Sequence, residues 1–105
     1  GEKSNIIRER VMKARNLQTV RFGNSGVHYN SQMGPKELDA FCELDDASKN
    51  LIKIVMERLN LSARAYDRII RVGRTIADLD NSDKILPKHI SEAIQYRSLD
   101  RNQWM

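Results

Sequence analysis

The segment from Ser62 to Leu79 carries the feature that most limits how this chain can fold. Its apolar positions recur at intervals of three and four residues and therefore fall on one side of a helix: Tyr66, Ile69, Ile70, Gly73, Ile76 and Ala77. A helix with one apolar side has to bury that side against another element. The segment therefore predicts a helix packed in the core of a domain.

Residues typical of helix starts and ends divide the rest of the chain in the same way. The starts are marked by Ser4, Pro35, Asp45-Asp46, Ser62 and Pro87, and the ends by the stretch 23–26, Asn60 and the acidic turn 80–83. These signals predict helices over 4–21, 35–42, 45–59, 63–80 and 87–97. Residues 27–34 are predicted to be irregular.

The first and third helices have apolar stripes of their own. In the first, Ile7, Val11, Ala14 and Gln18 lie along one stripe, with Ile6 and Leu17 beside it. In the third, one face is formed by Ser48, Leu51, Ile52, Val55, Met56 and Leu59. We therefore expect an all-α bundle of about five helices, which forms a single domain over 1–105 with a flexible tail at 98–105.

Composition excludes several other classes of protein. The chain has 105 residues, enough for one domain, and its 6% of aromatic residues without alternating β-branched runs argues against a sandwich or barrel. No apolar run is long enough to cross a membrane or to form a signal peptide. Cys42 is the single cysteine, so an internal disulfide and a cysteine-rich zinc site are excluded, and a reducing, cytoplasmic setting fits best. Because Gly1 stands where an initiator methionine would, we expect an expressed fragment of a longer protein.

The positive charge is concentrated at the start of the chain. Residues 1–22 hold six basic and two acidic residues, whereas residues 23–105 hold twelve of each, and the formal net charge is +4. The candidate binding residues on this first helix are Arg8, Arg10, Lys13 and Arg15. They favour contact with DNA or with an acidic partner. The alternative is a solvated helix face that supports solubility.

The fourth helix carries arginines on the side opposite its apolar face. Arg64, Arg68 and Arg71 fall within a stripe about 60° wide, which is predicted to point away from the core. Arg64 also lies in the first turn, where the helix dipole disfavours a cation. An external phosphate would explain it, because a phosphate binds both a guanidinium and the free N–H groups of a helix start. The alternative is a surface arginine paired with Asp67 or another nearby carboxylate.

Other residues that could bind a metal or take part in catalysis have simpler explanations. His28 and His89 have no partner at metal-ligand spacing, so we expect structural or exposed histidines and no metal site. The acidic pairs at 45–46 and 80–83 stand at helix boundaries, where capping explains them. Cys42 has no basic neighbour in sequence, which predicts a buried, inert thiol. Gly73 on the apolar face predicts a close approach between two helices.

Nucleotide-binding and hydrolase signatures are absent from the chain. It contains no G-x-x-x-x-G-K-[ST] loop, no G-x-G-x-x-G and no G-x-S-x-G elbow. The 105 residues alone therefore lack the parts needed to hydrolyse a nucleotide or an ester. An arginine placed for a phosphate, without a phosphate loop, suggests that another domain supplies the rest.

The residues also carry a family resemblance. The stretch LNLSARAYDRIIRVGRTIADLDNSDKILPKHISEAIQYR, residues 59–97, resembles the C-terminal helical domain of magnesium-chelatase-related AAA+ ATPases, in the group of bacterial ComM-like (YifB-like) competence proteins. IIRERVMKARNLQTVRF at 6–22 is similar to the opening helix of that domain, and ELDAFCELDDASKNLI at 37–52 is similar to its middle. The resemblance covers the chain without its ends. Its most specific part is L-S-x-R-A-Y followed by R-x-x-R-x-I-A-D-L.

The resemblance implies a role for the arginine at the helix start. Relatives look like three-part proteins, with a domain similar to the proteolytic domain of Lon, an AAA+ core with Walker motifs, and this helical lid. The lid lies beside the nucleotide, and its helix-start arginine acts as sensor 2 and reaches the γ-phosphate. Arg64 matches that position. Arg68 and Arg71 match basic positions of the family, without an assigned contact.

Cofactors and partners follow from the same resemblance. It implies ATP with Mg²⁺ in the full-length parent and no cofactor for the isolated fragment. The expected partners are the AAA+ core of the same polypeptide, identical subunits in a homo-hexamer, and DNA, with no membrane. The parent is then expected to be an ATPase and DNA helicase that promotes branch migration, whereas the fragment alone is not expected to be an enzyme. A different class remains open, namely a stand-alone helical module that binds DNA or protein through the basic first helix.

Overall fold

The computed structural model describes residues 4–23 and 29–99, with side chains up to Tyr96. These residues form five α-helices: α1 (Ser4–Phe22), α2 (Pro35–Phe41), α3 (Asp46–Leu59), α4 (Ala63–Leu79) and α5 (Pro87–Leu99), with a 3-10 turn at Asn30–Gln32. The described residues contain no strand, only an isolated parallel bridge between Leu44 and Ile85. The predicted all-α fold is confirmed.

Most helix boundaries follow from the residues that cap them. Asp45 is the N-cap of α3, and its carboxylate accepts a hydrogen bond from the backbone N–H of Ser48 at 2.7 Å. Asn60 ends α3 with a left-handed backbone at φ 52°, a conformation that asparagine adopts more readily than most residues. Pro35 and Pro87 occupy the first positions of α2 and α5, where the missing N–H costs no helical bond.

The ends of the chain differ from the prediction in one respect. Helix α5 continues to Leu99, so the first two residues of the predicted tail are helical. Residues 100–105 lie outside the described residues. At the other end α1 already includes Ser4, and residues 1–3 are not described, so the capping role of Ser4 stays a prediction. No helix in the described ranges is long and apolar enough to cross a membrane.

Helix α4 lies at the centre of the domain. It packs against α5 and also against α1, α2 and the 3-10 turn. Its predicted apolar face is confirmed: Ile69, Ile70, Gly73 and Ala77 are buried, and Tyr66 and Ile76 pack half-buried against the same core. The other helices and connections add Phe22, Met33, Leu38, Cys42, Leu44, Ile52, Ile85, Ile90 and Ala93. The position of every other element is therefore set relative to α4.

The predicted stripe of α1 is buried at only one end. Ala14, Gln18 and Phe22 are buried, whereas Ile7 and Val11 remain 46% and 38% exposed. None of the residues from 4 to 13 is buried. The reason is that α1 docks through its C-terminal half, where the ring of Phe22 meets that of Phe41 edge-on at 5.6 Å. The N-terminal half projects from the core.

The predicted inner face of α3 is also only partly correct. Ser48 and Ile52 are buried, and Leu51 and Met56 pack half-buried against the core. Leu59, which was expected to face inward, is 49% exposed. It lies in the last turn of α3, beyond the residues that pack against the core.

Gly73 marks the close approach of α4 and α5 that its position predicts. A Cβ atom at this position would lie 3.0 Å from Cδ1 of Ile90 and 3.7 Å from Cγ2 of Ile85. Carbon atoms in ordinary contact are about 3.5–4.0 Å apart. The packing interpretation of Gly73 is therefore confirmed.

The effect of a substitution at Gly73 on the free energy of unfolding is expected to depend on the size of the new side chain. Gly73→Ala gains about 1 kcal/mol of helix propensity, which offsets the small shift it imposes on the flexible end of Ile90. Its free energy of unfolding should stay within about 1 kcal/mol of wild type. Gly73→Val adds methyl groups that have no space and should cost about 2–3 kcal/mol. Urea unfolding followed by circular dichroism measures both, and equal values for the two variants would contradict the close approach.

Candidate functional site

The start of α4 has the geometry of an anion-binding helix terminus. Ser62 is the N-cap, with extended backbone angles, and its Oγ accepts a hydrogen bond from the N–H of Ala65 at 3.4 Å. The first N–H groups of a helix have no acceptor within the helix itself. With one of them capped, those of Ala63 and Arg64 remain available. The predicted start of this helix is confirmed.

Arg64 is the second residue of α4, and its side chain is exposed. Within residues 4–23 and 29–99 it makes no ion pair or hydrogen bond through its guanidinium. The alternative from sequence, pairing with Asp67, is therefore not observed. An unpaired cation at a helix N-terminus is unfavourable by itself, and a bound anion would remove that cost.

The other two arginines of the predicted stripe are not gathered around Arg64. Arg71 lies about 10 Å further along the helix axis, at 1.5 Å per residue. Its Nε donates a hydrogen bond to the carbonyl oxygen of Met33 at 2.9 Å. The prediction that all three arginines point away from the core is wrong for Arg71, because the buried segment at Met33 packs on α4 and brings a carbonyl within its reach. Arg68 is half-buried.

The basic residues of α1 are exposed, as expected for a binding surface. Arg8, Arg10, Lys13 and Arg15 all lie in the exposed part of the helix. Helical spacing puts Arg8 and Arg15 about 20° apart on one side and Arg10 and Lys13 about 60° apart on another. The four residues therefore form two small groups rather than one continuous basic stripe.

A buried ion-pair network joins α1 to α4, and the sequence analysis did not identify it. Asp78 is 0% exposed and accepts two hydrogen bonds from Arg21, at 2.9 and 2.6 Å. It also accepts from Nε of Arg74 at 3.1 Å and from Nδ2 of Asn30 at 2.8 Å. Two guanidiniums and one carboxylate thus lie together inside the protein. The sequence did contain one signal for this network. Arg74 and Asp78 are a cation and a carboxylate four residues apart, next to the apolar face of α4.

The network also fixes two connections. Arg74 donates to the backbone carbonyls of Ser82 and Asp83 at 2.7 and 3.0 Å, which anchors the turn between α4 and α5. Gln18 accepts a hydrogen bond from the backbone N–H of Asn30 at 3.1 Å. Burial lowers the pKa of the Arg74 guanidinium, and the negative charge of Asp78 opposes that shift. The arrangement is a structural lock, since both oxygens of Asp78 and all three guanidinium nitrogens of Arg74 are hydrogen-bonded within the protein.

The sequence of the chain matches a defined protein family over nearly its whole length. Residues 1–97 match the family described as magnesium chelatase, subunit ChlI C-terminal. This chain belongs to the magnesium chelatase ChlI C-terminal family. The family resemblance noted from the sequence is confirmed.

Three curated relatives of this chelatase-type domain show the same relationship. It is 40% identical over 101 residues to the competence protein ComM of Haemophilus influenzae, 38% identical to the uncharacterized protein YifB of Escherichia coli, and 33% identical to YifB of Salmonella typhimurium. Each match covers 96% of this chain and 19% of the relative. The chain thus spans about a fifth of the length of these relatives.

His89 has the structural role expected for it. It is 2% exposed, and its Nδ1 accepts a hydrogen bond from the backbone N–H of Leu86 at 2.9 Å. Its Nε2 lies 3.0 Å from Oδ2 of Asp80, so the tautomer protonated on Nε2 donates to that carboxylate. The hydrogen bond from His89 and then the nearby Lys88 lower the pKa of Asp80. His28 lies outside the described residues, and the described ones contain no cluster of metal ligands.

Cys42 is buried in the core of this chelatase-type domain, as predicted. Its side chain is 6% exposed, with Sγ 3.8 Å from the sulfur of Met33. Burial raises the pKa of the thiol from 9.0 to about 11, although the nearby Arg74 opposes the shift. The thiolate, which is the reactive form, is therefore scarce at neutral pH.

We expect Cys42 to react slowly with thiol reagents. The raised pKa leaves about a hundredfold less thiolate at pH 8 than the ordinary value would. The rate of modification by a disulfide reagent should be at least about a hundred times lower in the folded chain than in the same chain unfolded in guanidinium. It should also increase about tenfold for each pH unit between 8 and 10. A folded rate equal to the unfolded rate would contradict the buried position.

Proposed function

We propose that this chelatase-type domain is the lid of an AAA+ ATPase and that Arg64 contacts the γ-phosphate of ATP. The observation that carries the proposal is the exposed guanidinium of Arg64, unpaired within the described residues, in the first turn of α4. Membership of the chelatase family supports it, together with the resemblance of the segment around Ser62 and Arg64 to the sensor-2 segment of AAA+ lids.

The physical argument concerns the electrostatic cost at the start of α4. A helix N-terminus carries the equivalent of about half a positive charge, so an arginine there is repelled. A phosphate reverses the sign of this effect, because it accepts hydrogen bonds from the N–H groups and from the guanidinium together. Within residues 4–23 and 29–99, no carboxylate forms an ion pair with Arg64.

The residues present fit one edge of an ATP site and no more. The chain holds a cation and free N–H groups at the start of α4, but no phosphate loop. Residues 4–23 and 29–99 contain no group of three or more acidic, histidine or cysteine side chains that could hold a metal ion. ATP with Mg²⁺ would supply the phosphoryl group whose transfer to water releases free energy. In this proposal Arg64 holds negative charge on that group, and the remaining contacts come from an AAA+ core in the same polypeptide. The lengths of the relatives leave room for such a core, since the match covers 19% of each.

The wider cellular role follows from one relative. The Haemophilus influenzae relative is named a competence protein, and the resemblance of the sequence to that group leads us to include DNA remodelling by the parent in the proposal. We extend this to a homo-hexameric ATPase and DNA helicase that acts in the cytoplasm. In such a motor the network around Asp78 would make α1 follow α4 when the lid moves.

The gene gives a direct test of the lid proposal. Sequencing upstream of the codon for Gly1 should reveal an open frame with a G-x-x-x-x-G-K-[ST] loop and an acidic Walker B strand. A start codon immediately before this segment would contradict the proposal, because Arg64 would then have no nucleotide to contact.

A DNA-binding module is the second candidate function. The exposure of Arg8, Arg10, Lys13 and Arg15 favours it. Titration of the chain with duplex DNA at several salt concentrations tests it, since each phosphate contact changes the salt slope by about 0.9. A chain that does not bind at low salt excludes an autonomous DNA-binding module.

A further inference from the structure

One face of the projecting half of α1 combines an apolar side chain with two cations. Arg8, Met12 and Arg15 are spaced by four and three residues and fall within about 60° of one another. We refer to these three residues as the basic face. All of them are exposed, Met12 by 56%. Within the described residues, the guanidiniums of Arg8 and Arg15 make no ion pair or hydrogen bond.

An open groove elsewhere on the domain has the opposite charge. Its apolar floor is formed by Leu38, Leu44, Tyr66 and Ile70, and its volume is about 370 Å³. Asp39, Glu43 and Asp67 stand at its rim, with Lys49 as the single basic residue there. We refer to these residues as the acidic groove. The three carboxylates make no ion pair within the described part of the chain.

The charge of the groove reflects its sequence. Residues 37–46 contain five acidic and no basic residues, whereas residues 1–22 hold the whole excess of positive charge. The two surfaces are thus complementary in charge, and each adds an apolar element that fits the other. On the basic face, Met12 lies between two arginines. In the acidic groove, an apolar floor lies between carboxylates, so apolar contacts and ion pairs can form together.

The two surfaces lie toward opposite ends of α4. Arg21 ties α1 to Asp78, and Ile7 and Val11 line the same open cavity as Leu79, all toward the C-terminal end of α4. The groove is built on Tyr66 and Ile70, about 15 Å away along the helix axis. Because the ion-pair network fixes α1 on α4, a single copy cannot bring its basic face to its own groove.

We propose that the basic face of one copy docks into the acidic groove of a second copy of this chain. The contact is head-to-tail, because each copy uses one surface for one neighbour and the other surface for the next. Such contacts form a ring when the rotation between copies closes and a filament when it does not. The residues involved are separate from Arg64, so this inference does not rest on the nucleotide proposal.

The test uses charge reversal and mixing in sedimentation equilibrium at low salt, up to about 1 mM chain. The face variant carries Arg8→Glu and Arg15→Glu, and the groove variant carries Asp39→Lys and Glu43→Lys. Wild type should associate, and each variant alone should associate at least about tenfold more weakly, because like charges then meet. An equimolar mixture should regain association, because each variant then meets its opposite. The matched control, Lys53→Glu with Arg58→Glu on the exposed side of α3, should behave as wild type.

Three outcomes would overturn the inference. The first is a wild-type chain that stays monomeric at 1 mM, including the case in which its basic face binds duplex DNA instead. The second is association that neither pair of reversals weakens. The third is a mixture that stays monomeric although circular dichroism shows both variants folded.

Discussion

Replacing Asp78 with alanine should cost about 3–5 kcal/mol of the free energy of unfolding. Asp78 is fully buried and neutralises two guanidiniums, those of Arg21 and Arg74, whose side chains are 13% and 3% exposed. Alanine would leave both cations inside the protein without a counter-charge. A domain of this size has a total stability of about 5–15 kcal/mol, so the loss would remove a substantial part of it.

The control for Asp78 is a carboxylate without such a role. Glu57→Ala removes an exposed acid from α3 and should change stability by less than about 0.5 kcal/mol. Urea unfolding of both variants followed by circular dichroism measures the difference. If Asp78→Ala costs less than about 1 kcal/mol, Arg21 and Arg74 are satisfied in some other way and the lock is incorrect.

Under the lid proposal, replacing Arg64 with alanine should lower the ATPase activity proposed for the full-length parent at least about tenfold while leaving its fold intact. The fold is spared because Arg64 is exposed and its guanidinium makes no hydrogen bond or ion pair within the described part of the chain. Activity falls because a cation that contacts the transferring phosphate stabilises its charge, and a tenfold loss corresponds to about 1.4 kcal/mol of the barrier.

Matched variants separate this effect from a general loss of charge. Arg58→Ala removes an exposed arginine from the last turn of α3 and should leave turnover unchanged. Arg64→Lys keeps the charge without the planar pair of donors and should restore part of the activity. Unchanged turnover of Arg64→Ala at saturating ATP would exclude the sensor role.

The sequence predicted those parts of the fold that depend on local signals. The structure reproduces the helix boundaries that were predicted from capping residues and prolines. These are the N-caps at Asp45 and Ser62, the C-terminal stop at Asn60, and the prolines at 35 and 87. The apolar face of α4 was also predictable, because its spacing matches one side of a helix. Gly73 was informative because glycine inside a helix needs a compensating contact.

Features that depend on how the helices meet were not predictable in this way. The stripe of α1 was expected to be buried along its length, but periodicity does not tell where one helix crosses another. Arg21 and Asp78 are 57 residues apart in sequence, so their pairing depends on the tertiary fold. Arg71 was predicted to face solvent. This was wrong because the segment at Met33, which accepts its hydrogen bond, follows a connection with few sequence signals and could not be placed from the sequence.

The position of Arg64 in the helix was predicted, whereas the placement of Arg68 and Arg71 relative to it was not. Arg64 was identified from its position in the first turn after a serine cap, and both features are present. Arg68 and Arg71 share its side of the helix, but the two turns from Arg64 to Arg71 prevent a cluster of three around one phosphate. Helical periodicity shows which residues share a side of the helix, but residues on the same side can still lie far apart along the helix axis.

The most direct measurement of the central claim is the affinity of the full-length parent for a non-hydrolysable ATP analogue and for ADP, with and without Arg64→Ala. If Arg64 contacts the γ-phosphate, the variant should lose at least about tenfold in affinity for the analogue and keep its affinity for ADP, because only the former carries that phosphate. Equal affinities of variant and wild type for the analogue would contradict the claim. An equal loss for both nucleotides would contradict it as well, since Arg64 would then act on a part that ATP and ADP share.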